Sequence, residues 1–166
     1  MKHRLFLFLI FILTVLTDQI TKAVIHSTFE LYQAKKIIPH VLSLRYIRNS
    51  GVAFGLKIGH PTVMLGLTVL VILILAYLFF KERLFADHSS GEIAMMFIFG
   101  GALGNLIDRV RFGEVIDFIQ MGIGSYTWPV YNFADVFVTI GMVILIFLYW
   151  FTPKEDHSEK TPSFEN

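Results

Sequence analysis

The sequence predicts an all-α integral membrane protein of four transmembrane helices, carrying a small β-cradle and a flap or short helix on one side. Three observations lead there. Hydrophobic residues fill 55% of the 166 positions and charged residues only 16%, against roughly a quarter charged in a soluble domain. The excess apolar surface has to face lipid. The apolar residues fall into four segments that meet or approach the roughly 17–25 residues needed to span a bilayer. Two of the connections between them are too long for simple turns and carry strand-like pieces.

The first helix is expected over about 5–25. Met1-Lys2-His3-Arg4 ahead of Leu5–Leu16 has the outline of a secretory signal peptide. The apolar run is followed, however, by Thr17-Asp18-Gln19-Ile20-Thr21-Lys22 and not by a small-residue cleavage site, so it reads as a retained span. The second helix, about 62–80, is opened by Pro61 and closed by Lys81-Glu82-Arg83; it is purely apolar and is expected to face lipid. The third, about 93–108, follows Ser89 and Glu92 at capping-box spacing. It looks short, and its Gly100 and Gly104 suit a close helix contact. The fourth, about 132–151, has Trp128 near one end and Tyr149-Trp150 at the other as interfacial aromatics.

Residues 27–60 hold a strand-like Val41–Ile47, broken by Pro39 and by Asn49-Ser50-Gly51, which predicts a small sheet on the membrane surface. Residues 110–131 hold Val115–Ile119, then Gly122-Ile123-Gly124 and Trp128-Pro129, the outline of a mobile flap over a site. With four spans both connections lie on one side. The N-terminus, the 81–92 loop and the tail from Pro153, expected to be disordered, lie on the other. The chain reads as a single membrane domain without internal repeats.

Lysine and arginine do not orient this arrangement. Lys2, Arg4, Lys81, Arg83, Lys154 and Lys160 fall on the side of the termini, whereas Lys22, Lys35, Lys36, Arg45, Arg48, Lys57, Arg109 and Arg111 fall on the other. A net charge of +1 suggests no polyanion, and so no nucleic-acid partner. The absence of cysteine excludes a thiol nucleophile, a cysteine-bound metal and a disulfide.

Charges at membrane depth cost about 2.5–3.5 kcal/mol each and invite a functional reading. Asp18 lies about 20 Å along its helix from Leu5, still inside the bilayer; it could serve a site, or pair with Lys22 at i,i+4 with both snorkelling. Asn105, Asp108 and Arg109 share one face of the third helix. For Asp108 an interfacial ion pair with Arg109 is the expected role. Asn105 needs a hydrogen-bond partner, and Arg109 offers a planar fork to a carbonyl or carboxylate. Asp117 stands alone in Val115-Ile116-Asp117-Phe118-Ile119. Asp135 falls in the first turn of the fourth helix, where the helix dipole alone would favour it, but Asn132 on the same face has no such explanation.

No His-Glu-x-x-His stretch exists and the predicted spans hold no histidine, which removes a zinc protease and a base for Ser125. Carboxylates remain. Two brought together share one proton; the ionised member activates water and the neutral one donates to the oxyanion. Spacing alone does not bring Asp117 to Asp135, and a proton-coupled carrier or a non-catalytic assembly subunit would also hold buried acids.

Five motifs occur in order: Asp18-Gln19-Ile20-Thr21-Lys22; Arg48-Asn49-Ser50-Gly51-Val52-Ala53-Phe54-Gly55; Gly100-Gly101-Ala102-Leu103-Gly104-Asn105-Leu106-Ile107-Asp108-Arg109; Gly113-Glu114-Val115-Ile116-Asp117-Phe118; and Asn132-Phe133-Ala134-Asp135. Together they resemble the bacterial lipoprotein signal peptidases, or type II signal peptidases, over nearly the whole chain. The resemblance implies an aspartic endopeptidase with Asp117 and Asp135 as catalytic dyad. Asp18, Lys22, Asn49, Gly51, Asn105, Arg109 and Asn132 would position substrate or support the dyad. It implies a monomer in the bacterial inner membrane, with cytoplasmic termini and a periplasmic cradle, flap and site. The substrate would be a diacylglyceryl-modified prolipoprotein cut just before its lipidated cysteine. Globomycin-like cyclic peptides would inhibit it, and no metal or organic cofactor would take part.

Overall fold

The computed structural model describes residues 1–51, 60–81, 89–124 and 126–151. The expected disordered tail, the 52–59 part of the cradle and most of the loop after the second helix lie outside the described residues.

Four helices, α1 (Lys2–Thr28), α2 (Pro61–Lys81), α3 (Ser89–Phe112) and α4 (Phe133–Phe151), form the body. Each is long and apolar enough to cross a membrane. Almost none of α2 is buried within the chain, as its lack of charge requires. α3 is longer than the 93–108 expected. Arg109 and Arg111 lie in its last turn, where cations complement the helix dipole. Gly113, at φ +74, then ends it by donating its N–H to the Arg109 carbonyl at 2.9 Å.

α1 and α3 run parallel, tied at one end by His3 and Glu92 and crossing further on where Gly100 meets Thr14. A Cβ on Gly100 would come 2.6 Å from the Thr14 methyl, so only glycine permits this approach. α4 packs antiparallel on α3, with Gly101 against the Ala134 carbonyl.

The all-α class needs correction. β1 (Ala34–Ile38), β2 (Leu42–Asn49), β3 (Val115–Ile123) and β4 (Tyr126–Thr127) form one antiparallel sheet in that order. The region expected to be a flap or short helix is β3 and β4. Both long connections emerge at the same end of the bundle, each with unpaired backbone groups. Pairing β2 with β3, from Leu42↔Met121 to Asn49↔Val115, satisfies both at once. Alternation then divides the two strands. Leu44, Tyr46, Ile116 and Phe118 pack with Ile25, Phe112 and Phe133 at the helix ends, while Asn49 and Asp117 belong to the opposite face.

Candidate active site

Where the ends of α1 and α3 and the start of α4 meet the sheet, polar side chains are enclosed by apolar packing. Lys22 is the first hub. Its Nζ donates at 2.9 Å to Asp18 Oδ2, Asp108 Oδ2 and Asn105 Oδ1, which uses all three protons. Lys22, Asp18 and Asp108 are at most 1% exposed. The pairing of Asp18 with Lys22 is thus real, but neither snorkels. Asp18 Oδ1 accepts the Ala134 N–H at 2.9 Å, a helix-start donor that has no partner within α4. Asp108 pairs with Lys22 and not, as the sequence led one to expect, with Arg109. It also accepts the Ile116 N–H at 3.1 Å, which pins the backbone just before Asp117.

Asn132 is the second hub. It stands immediately before α4 and forms a reciprocal cap with Asp135: its N–H donates to Asp135 Oδ2 at 3.2 Å, and its Oδ1 accepts the Asp135 N–H at 3.0 Å. Its Nδ2 reaches Asp117 Oδ1 at 2.6 Å. One asparagine therefore holds two carboxylates from different elements. Asn105 donates to Asp135 Oδ1 at 2.9 Å and takes bonds from Lys22 and from Asn132 Nδ2. Asn49 donates to Asp117 Oδ2 at 2.8 Å, and its own Oδ1 accepts the buried Gly51 N–H in a local turn. The Arg109 fork makes one long bond, 3.5 Å, to the Asn105 carbonyl. Its charge is nevertheless close enough to act on Asp135, Asp117 and Asp108.

The two pairs of acids differ in kind. Asp18 and Asp108 share an ion pair with Lys22. Among the described residues, Asp117 and Asp135 make no ion pair within 4.0 Å and are held by amides. Burial, and then the neighbouring Asp135 charge, push the Asp117 carboxyl up to about 7, against smaller opposing effects of Asn49, Asn132 and Lys22.

All nine residues singled out in the sequence fall in or beside this cluster. Two more belong to it. Asp108, expected at the interface, is one, and Gln19, whose Nε2 bonds Asp18, the Gly104 carbonyl and Asp108, is the other. Its position one residue after a membrane-depth acid was the available signal.

A four-span membrane bundle with these carboxylates gathered at one end suits a membrane-embedded peptidase of the aspartic class. The family model described as signal peptidase (SPase) II, peptidase family A8, matches residues 10–151, and the chain belongs to that family. The lipoprotein signal peptidase of Staphylococcus aureus strain MRSA252 is 38% identical over 138 residues, covering 83% of each chain. That of strain Newman is 37% identical over the same span. Two bacterial membrane enzymes solved by the in meso method share the fold. One matches with a TM-score of 0.79 at 35% identity, covering 92% of this chain and 94% of the other. The second matches with a TM-score of 0.76 at 38% identity, covering 89% and 94%.

Proposed function

We propose that this signal peptidase removes signal peptides from diacylglyceryl-modified prolipoproteins by cutting just before the lipidated cysteine, with Asp117 and Asp135 as its dyad. The observation that carries the reading is the unneutralised pair joined by Asn132. A scaffold acid in a low-dielectric interior needs a cation, as Asp18 and Asp108 have in Lys22. Two acids tied to one asparagine and left without an ion pair are placed instead to share a proton. That contrast counts against a purely structural subunit.

Asp117, whose carboxyl is pushed up to about 7, carries the proton and donates it to the carbonyl oxygen as negative charge develops there. Asp135, in the first turn of α4, is the ionised partner. It takes a proton from the attacking water, and the tetrahedral intermediate collapses with proton return to the leaving amine. Asn49, Asn105 and Asn132 fix the two carboxylates. Arg109 stabilises the negative charge of the site and offers donors to substrate carbonyls. Lys22, Asp18 and Asp108 hold the ends of α1, α3 and α4 in register beneath them.

A lipid-anchored substrate enters sideways from the bilayer. This fits a site at the level where spans give way to the sheet, with the sheet on the outer face of the bacterial inner membrane and both termini in the cytoplasm. The enzyme works as a monomer, and a globomycin-like cyclic peptide competes for the dyad. The test is incubation of purified enzyme with diacylated prolipoprotein. Wild type should cleave it and globomycin should stop it, while Asp117→Asn and Asp135→Asn remain folded but inactive. Cleavage by either variant would remove that residue from the mechanism.

A further inference from the structure

On the back of the strands that carry Asn49 and Asp117, three groups able to bear positive charge surround two aromatic rings. Arg48 Nε donates to the Tyr46 hydroxyl at 2.7 Å, and its guanidinium carbon lies 4.2 Å from the centre of the Phe112 ring. The Arg111 guanidinium lies 4.7 Å from the same ring centre. His26 Nδ1 bonds the Tyr46 hydroxyl at 2.8 Å, and its ring meets Tyr46 and Phe112 edge-on. Tyr46 is 4% exposed, so Arg48 is aimed by a fixed, buried hydroxyl.

No acid among the described residues is paired with these charges. Among the described residues neither arginine makes an ion pair within 4.0 Å, Glu114 included, and residues 52–59, just after β2, contain no aspartate or glutamate. Two like charges set against one ring gain from an anion nearby. The cluster also sits at the C-terminal ends of α1 and α3, where the spans leave the bilayer. Val24 and Val110, exposed at the same two helix ends, add apolar surface at this level. A phosphate at the arginines, at the level where lipid headgroups meet the helix ends, matches both features.

We propose that Arg48 and Arg111, ordered by Tyr46 and Phe112, bind the phosphodiester of an anionic phospholipid. Part of the cation excess on this side of the chain is thereby explained. Lys22 and Arg109 serve the buried site, while Arg48 and Arg111 serve lipid. A bound headgroup would clamp β2 to the end of α3 behind Asn49.

The test measures phosphatidylglycerol retained by the purified full chain in native mass spectrometry, which does not depend on cleavage. Wild type should retain it in preference to phosphatidylcholine. Arg48→Gln and Arg111→Gln should each weaken retention about fivefold, the equivalent of about 1 kcal/mol per cation. Arg48→Lys should weaken it partly, since the charge stays and the fork is lost. The exposed pair Lys35→Gln/Lys36→Gln should change nothing, and thermal unfolding should confirm that Arg111→Gln is folded. Undiminished retention in the arginine variants would overturn the proposal. So would an equal loss in the lysine pair, or displacement by inorganic phosphate with no preference for the lipid.

Discussion

Replacing Lys22 by methionine keeps most of the side chain and removes its charge, and the structure sets the size of the result. Nζ bonds Asp18, Asp108 and Asn105, each at 2.9 Å, and both carboxylates are essentially unexposed. Breaking a buried pair from one side costs about 3–5 kcal/mol, because the other charge is left uncompensated. Here two charges are stranded, so the upper end applies. In a chain of this size each kcal/mol moves the melting temperature by roughly 2–4 °C, giving a fall of about 10–20 °C. Thermal unfolding in detergent, followed by intrinsic fluorescence, measures it. The triple variant Lys22→Met/Asp18→Asn/Asp108→Asn removes all three charges together and should recover most of the loss. A Lys22→Met chain that melts within 2 °C of wild type would refute this reasoning. So would a triple variant no better than the single, since the cost would then lie in packing and not in charge.

Asn132→Ala should lower kcat on the order of a hundredfold with little change in KM, as small misplacements at reacting groups do; an unchanged kcat would mean that Asn132 does not hold the dyad. Cleavage should decline as pH rises past about 7, where Asp117 loses its proton, and a rate still level at pH 9 would contradict the assignment. The same shift bears on stability. Asp117 is raised above its ordinary 3.8, so the folded chain keeps a proton that the unfolded chain releases. Stability should therefore fall as pH rises between about 4 and 7, and Asp117→Asn should flatten that slope in melting curves. Gly104→Ala places a Cβ onto the Asp18 carboxylate and should cost about 1–3 kcal/mol; Gly66→Ala, with nothing within 4 Å, should be neutral or slightly stabilising.

The helices were legible because bilayer thickness imposes a length and an apolar composition that any reader can find. The polar site was legible for the converse reason: Asp18, Asn105 and Asn132 stand where an unsatisfied polar group is expensive. Pairing was not legible. Nothing in Leu42–Asn49 or Val115–Ile123 says that these strands, 65 residues apart along the chain, meet each other, because partner choice depends on where helices deliver their ends. The partner of Asp108 is hidden from the sequence for a related reason. Adjacency suggested Arg109, but consecutive helical residues diverge by about 100°, and the nearer cation came from another helix.

The charge content of the site bears on why Asp117 should be the protonated member. Six ionisable groups gather there: Asp18, Asp108, Asp117 and Asp135 against Lys22 and Arg109. With every carboxylate ionised the cluster would carry two net negative charges in a poorly solvated interior. Protonating one acid halves that excess. Asp18 and Asp108 each have an ion pair with Lys22, and Asp135 sits at a helix start near Arg109. Asp117 has no cation within 4.0 Å among the described residues, sits on a strand with no helix dipole, and is only 2% exposed. It is the acid with least to lose by taking the proton. On this argument the ion triad around Lys22 does more than brace the helices. It keeps the remaining negative charge beside Asp117, and so keeps a neutral acid ready to donate at neutral pH.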